Sequence, residues 1–226
     1  MCSSDLFQRT PVFYGTEVID NAAVALEICS KKPLGLGASH GWTPQSQPFF
    51  VTEADGSRII SVDGQPAVEI FKSHASATNQ SLNLDEPIAF FLHNLVGIDM
   101  GIGYKLRVPL MIEADGSVVC AAEVPVGSTI RIMGATIQSA KDAAETAVKD
   151  ALLKMGGEQP AAALFFDCVA TRLKMGQQFK SELDGVQQLL DPTHYVGCNT
   201  HGQIVRAEGQ FSGFHNCTAV VCLFPD

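Results

Sequence analysis

The sequence is poor in the features that would give its function away at once. It has no C-x-x-C pair and therefore none of the spacings of a structural zinc site. Basic residues are few, 15 against 24 acidic, and the net charge of −9 comes without any Lys/Arg stripe. The only adjacent basic pair is Lys31–Lys32. A phosphate backbone is held by clustered cations, so no nucleic-acid partner is expected. No apolar run reaches membrane-spanning length, and Asp5 and Arg9 interrupt the start, so neither membrane insertion nor a targeting signal is expected. The default compartment is then the cytoplasm. The cysteines agree, being odd in number (seven), widely scattered and mostly set in apolar runs, as reduced core thiols are.

What is present belongs to a folded chain: an apolar fraction of 46% with 17% charged residues is enough to build a sizeable core. Residues 1–10 carry no pattern and read as an unstructured lead. Asn21–Cys29 (NAAVALEIC) is a compact apolar strand candidate. Pro33–Trp42 follows with Gly35, Gly37 and Gly41. Such a segment can cradle an anion, but no strand–GxGxxG–helix context follows, and it reads as a tight structural loop.

Two hairpins are expected, Phe49–Glu53 with Ser57–Val62 and Arg107–Ile112 with Val118–Val124. Both turn on Glu-Ala-Asp-Gly-Ser, at 53–57 and 113–117, with a glycine free to take positive φ. Pro66 suits the first turn of a short helix with Phe71 and His74 or Ala75 on one face. Glu86–Val96 reads as a short apolar helix or buried segment, with His93 a satisfied core histidine among Phe90, Phe91 and Leu92. Ser139–Met155 is the clearest helix: Ser139 with Asp142 forms a capping pattern, and Ala140, Ala143, Ala144, Ala147, Val148, Ala151 and Leu152 make a narrow stripe. A stripe of that width implies close packing on a sheet.

The last quarter concentrates the chemistry. Ala161–Phe166 reads as a strand covered on both sides. A helix from about Arg172 to Leu190 follows, with Met175, Phe179, Leu183, Val186 and Leu190 on its buried face. Strands at Tyr195–Cys198, Gln203–Arg206 and Phe214–Leu223 complete it. The order implies an α+β (or mixed α/β) layered domain, with a mostly antiparallel or mixed sheet and helices packed on its face.

Three segments in order, Leu164–Cys168 with Arg172, Tyr195–Cys198 with His201–Ile204, and Phe214–Thr218, resemble the C-terminal half of FIST domains. That pattern has a strand ending in Cys followed by Arg, a Gly-Glu-Ile element, and a closing strand with Asn-x-Thr. Val51–Ala54 and Val62–Ala67 are similar to the join between the two FIST halves. The resemblance covers about residues 12–224. It divides the chain into the lead at 1–10, a remnant of the N-terminal FIST half at 11–62 with only its last strands, and a C-terminal FIST domain at 63–226. Here the Gly-Glu-Ile element is Gly202–Gln203–Ile204, one carboxylate fewer.

The resemblance implies a sensory, signal-transduction module that binds a small molecule, an amino acid or a related metabolite, without an output domain of its own. It implies no enzyme activity, no cofactor and no metal. The residues it implies as ligand-binding are Cys168, Arg172, Cys198, His201, Gln203, Asn216 and Thr218. Arg172, at a helix start beside a strand end, is suited to hold a carboxylate bidentately. Its alternative is a solvated helix residue, while Asn216 and Thr218 equally suit backbone satisfaction. Three other readings stay open. Cys168 is a nucleophile with His201 or His215 as base; His201, His215 and Cys217 bind a metal; or the domain is a protein-interaction scaffold, as in F-box relatives, with a signalling protein as its partner.

Overall fold

The structure is a computed structural model that describes residues 11–206 and 211–226; the expected lead at 1–10 lies outside the described residues. Residues 1–31 and 32–226 are two compact units. In the first, β1 (Val12–Tyr14) and β2 (Glu17–Ile19) form a small antiparallel hairpin. Asn21–Cys29, expected as a strand, has no regular secondary structure and is exposed along its length, Leu26 by 81%. Among the described residues no strand lies beside it, and a lone strand satisfies neither its backbone nor its apolar face.

The second unit is an α+β layered fold around two sheets. It opens with β3 (Gly35–Ser39), β4 (Thr43–Pro44), β5 (Phe49–Asp55), β6 (Arg58–Val62) and β7 (Gln65–Pro66). Helices α1 (Val68–Ala77) and α2 (Ile88–Phe91) lead to β8 (Leu95–Asp99), β9 (Tyr104–Arg107), β10 (Pro109–Ile112), β11 (Val118–Cys120) and β12 (Thr129–Gly134). The nine-stranded sheet runs β10-β11-β6-β5-β12-β8-β9, with β4 added to β12 and β7 to β6. Both expected hairpins are therefore present, and they lie side by side. Arg58 in one ion-pairs with Glu113 and Asp115 at the turn of the other.

The remaining elements are α3 (Ile137–Lys154), β13 (Pro160–Cys168), α4 (Val169–Met175), α5 (Phe179–Leu190), β14 (Tyr195–Thr200), β15 (Gln203–Arg206), β16 (Ser212–His215) and β17 (Ala219–Pro225). The four-stranded sheet has the order β14-β13-β17-β3, with β13 and β14 parallel and the other pairs antiparallel. Helices α3 and α5 cover one face through Ala144, Ala147, Val148, Ala151 and Val186. On the other face the β15–β16 ribbon places Val205 against Ala38 and Val220.

Four local expectations are revised. The glycine-rich stretch is strand β3, not a loop. A Cβ on Gly35 or Gly37 would fall onto the carbonyl oxygens of Ala151 or Ala147, so glycine is what lets α3 lie directly on the strand. Helix α3 starts two residues early, with Thr136 and Ser139 capping each other reciprocally. The long helix after β13 is broken, since Gly176 takes φ +56 and a 3₁₀ turn, Gly176–Gln178, separates α4 from α5. The closing strand is also broken, because Cys217 adopts φ +49 between β16 and β17.

Candidate functional site

The two layers meet in an apolar joint of Trp42, Leu95, Leu106, Val108, Met133, Cys168, Ala170 and Cys217. Beside it opens a cleft of about 390 Å³. Its walls are Thr43 of β4 and Gln45 just after it, His74 and Thr78 at the end of α1, Gln80, His93 and Asn94 before β8, and Gly134, Ala135, Thr136 and Ser139 leading into α3. Lys174 of α4 completes it. No lining residue is acidic, in a chain whose net charge is −9.

Lys174 dominates the electrostatics. Its ammonium lies 4.3 Å from the centre of the Trp42 ring, a cation–π contact. Burial lowers its pKa to about 8, so it remains mostly charged at neutral pH. No ion pair involves it among the described residues. His93, expected in the core, is exposed at the cleft, and partial burial together with the Lys174 charge lowers its pKa. At the start of α3 the Ser139 N–H is taken by Thr136 Oγ1, leaving the Ile137 and Gln138 N–H groups without a helical carbonyl.

Another part of the lining is a side-chain network. The Asn94 amide donates to Gln80 Oε1 at 2.8 Å and to the Phe90 carbonyl at 2.9 Å, while its oxygen meets His74 Nε2 at 3.0 Å. A buried amide bonded on three sides holds Gln80 and His74 in place. The cleft thus combines one lysine with amide, hydroxyl and imidazole groups.

Behind Trp42 lies a second polar group. Asp167 and Glu182, 2% and 1% exposed, are neighbouring buried carboxyls, each with an oxygen that no donor reaches, and burial raises both pKa values. Asp167 Oδ1 accepts the Cys168 backbone N–H at 2.7 Å.

The residues singled out from the sequence do not converge on one cavity. Arg172 is exposed; its guanidinium donates to the Gly176 carbonyl at 2.5 Å and lies 5.4 Å from the Phe179 ring centre. Cys168 is buried in the joint against Cys217. Cys198 is exposed on β14 and lines a separate groove with Phe179 and Leu183. Gln203 is buried and donates to Thr200 Oγ1. Asn216 accepts the Val108 N–H and donates to the His201 carbonyl, and Thr218 donates to the Asn216 carbonyl. Those last bonds are of the backbone-satisfying kind. His201, His215 and Cys217 form no group able to hold a metal ion. His215 is buried with both ring nitrogens unbonded, and burial, then Lys105, Arg107 and His40, press its pKa down to about 4.

Lys174, Trp42 and the Asn94 network were not singled out from the sequence, and His93 was read there as a core residue. Lys174 follows Arg172 by two positions, but a continuous helix would leave it on the wet face. What turns it toward the cleft is the way α4 leaves the end of β13, which no periodicity in the sequence shows.

An α+β domain with a charged, half-open cleft between two layers is the class that fold and geometry define. The chain belongs to the FIST family: the FIST C domain matches residues 67–206, more than half of the chain, and the FIST N domain matches residues 1–65. The N-terminal part is therefore more than the remnant expected, and the join falls at residues 65–67. Domains of this family are taken as small-ligand-sensing modules of signal transduction. No curated protein and no solved structure matches the chain. Among the described residues no helix is long and apolar enough to cross a membrane.

Proposed function

We propose that this chain senses a small zwitterionic metabolite of the amino-acid type in the Lys174 cleft, as a sensor and not an enzyme. The observation that carries the reading is Lys174, a half-buried cation without an ion-pair partner in a cleft free of carboxylates. A ligand carboxylate there gains the ammonium and the α3 amides. The ligand's own ammonium faces Gln80 Oε1 and neighbouring acceptors. A volume of about 390 Å³ suits such a molecule.

Cys168 is buried in the apolar joint, and no imidazole is among the groups that shift its pKa, which favours sensing over Cys-dependent hydrolysis. The scattered cysteines support work in the reducing cytoplasm. A signalling protein would read the occupied state, and the alternative of a pure interaction scaffold needs no cleft ligand.

Calorimetric titration with an amino-acid panel, each member paired with its carboxamide, tests this. Acids are expected to bind and carboxamides to bind at least tenfold more weakly, with Lys174→Met losing the acids' advantage. Affinity should hold up to about pH 7 and fall as Lys174 deprotonates through about pH 8. Equal binding of acids and carboxamides, or full binding by Lys174→Met, would overturn the reading.

A further inference from the structure

An open sheet ends in strands whose outer backbone groups have no partner, and β10, β9, β14 and β3 stand at the ends of the two large sheets. Three of them are guarded. β10 begins at Pro109, and its register shifts between Pro109 and Met111. β9 carries Lys105, whose ammonium donates to the Ser212 carbonyl of β16. Gly35, Gly37 and Ala38 of β3 are buried. Proline, bulges, charge and cover are the devices that keep an edge from pairing with another strand. β14 has none of them. Its six residues, Tyr195–Thr200, include neither charge nor proline. Its register with β13 is unbroken, and its middle is exposed, Val196 by 68%.

The open side of β14 has a defined pattern. The Ala163 N–H donates to the His194 carbonyl at 3.2 Å, and Ala163 stands opposite Tyr195 in the parallel ladder. The backbone groups of Val196 and Cys198 therefore turn toward β13, and those of Tyr195, Gly197 and Asn199 turn outward. Among the described residues no strand pairs with that side. Beside the same edge a groove of about 420 Å³ runs between β14 and α5, where Phe179, Leu183 and Gln187 make one stripe at every fourth position. The Tyr195 hydroxyl, donating to the Leu183 carbonyl at 3.2 Å, marks that face of the strand.

We propose that the edge of β14 is a dimer interface, where a second copy of this chain adds its own β14 antiparallel across a two-fold axis. The two four-stranded sheets then become one. Residues that exchange hydrogen bonds in an antiparallel pair must both turn outward. The outward set Tyr195, Gly197 and Asn199 reads the same in both directions about Gly197. The axis therefore passes at Gly197, which meets its own copy, while Tyr195 meets Asn199 of the second copy. An axis at Val196 or Cys198 would oppose groups already bonded to β13. An axis at Tyr195 or Asn199 would leave half of the strand overhanging. In the Gly197 register the added strand lies along the groove, and the two α5 stripes stand on one side of the joined sheet. On the other side Val196 sits beside Cys198 of the second copy, about 4.5 Å apart at Cα in a non-hydrogen-bonded pair.

Charge favours a second copy as the occupant. Two chains of net charge −9 repel, and β14 is a stretch where they meet without opposing carboxylates. Next to it, α5 presents Lys180 together with Asp184, so each copy offers both signs to the other. The interface is independent of the cleft ligand.

The test is sedimentation of the full chain over a concentration series, joined to oxidative cross-linking of Val196→Cys. The wild-type chain is expected to pass from monomer to dimer as concentration rises. Val196→Cys should run as a dimer on non-reducing gels, with mass spectrometry placing the introduced thiol on Cys198 of the second copy. Asn199→Pro removes an outward N–H and no bond to β13, and the two-fold axis makes that loss twice. Dimerisation should weaken by about tenfold or more. A chain that stays monomeric throughout would overturn the proposal and leave the edge to a strand from another protein. So would a Val196→Cys dimer linked only through Cys29, or dimerisation undiminished in Asn199→Pro. Val196 is exposed, so the cross-link reads the interface even if the proline variant fails to fold.

Discussion

The nine-stranded sheet and the four-stranded sheet fill their cores by opposite means. Beneath the first, Val51, Ile59, Phe71, Phe90, Phe91, Ile130 and Ile132 pack large side chains, with the three phenylalanine rings edge to face. Above the second, Ala144, Ala147 and Ala151 of α3 press on a strand whose inward residues include Gly35 and Gly37. One core is held apart by side chains and the other is closed by backbone contact. Buried thiols differ by their immediate neighbours instead: burial pushes Cys120 on β11 up to about 12, whereas hydrogen bonding draws Cys168, in the joint between the layers, down to about 7.

The largest effects should come from attacking each core by its own means. Phe71→Ala leaves a cavity and is expected to cost about 3–5 kcal/mol in urea unfolding. Gly37→Ala overpacks, which typically costs about 1–3 kcal/mol, and more here because the obstacle is the Ala147 carbonyl of the helix backbone. The contrast sharpens with Gly97 on β8, where an added Cβ meets only the Met133 side chain. Gly97→Ala should be rescued in part by Met133→Ala, while Ala147→Gly should give Gly37→Ala no relief. Rescue of Gly37→Ala by Ala147→Gly would break the comparison.

Next in size are two pH effects of opposite sign, both from the polar side of the four-stranded layer. Glu182 has a folded pKa raised by burial and by Asp167, so its contribution is complete below its unfolded value of ~4.3 and is lost as pH rises toward the raised value. Glu182→Gln cannot ionise and should be the more stable chain at pH 8, by about 1–3 kcal/mol. His215 runs the other way. Its folded pKa, down at about 4, makes its contribution complete above ~6.5 and lost as pH falls toward 4. His215→Phe should flatten that acid limb, again by about 1–3 kcal/mol. Urea midpoints across pH 4–9 measure both, and a Glu182→Gln curve parallel to wild type would remove the buried-carboxyl account.

How much of this was legible in the sequence follows the same division. The large-residue layer announces itself locally, since Glu-Ala-Asp-Gly-Ser turns at 53–57 and 113–117 mark both hairpins before any contact is known. The alanine stripe of α3 likewise foretells a close fit. What it fits was hidden, because Gly35 and Gly37 look like loop punctuation until a helix about a hundred residues later lies on them. The site was illegible for a related reason. Its residues come from β4, α1, the α2–β8 connection, α3 and α4, elements that no local pattern brings together. Asn216 and Thr218 were visible as polar residues in an apolar run, but their carbonyl partners belong to tertiary structure and to the left-handed turn at Cys217.

The smallest expected effect tests where along α4 the chemistry lies. Arg172 and Lys174 are both basic and both contact an aromatic ring, Phe179 and Trp42 respectively. Arg172 is exposed, so its contact and its bond to the Gly176 carbonyl are set against water and salt. Arg172→Ala should therefore cost no more than about 1 kcal/mol and leave amino-acid titrations unchanged. Lys174→Met should cost little stability either, since burial already disfavours the ammonium, yet it removes the cleft's cation. If Arg172→Ala abolished binding while Lys174→Met retained it, the ligand would lie on the outer face of α4. The cleft between the two layers would then be only a seam.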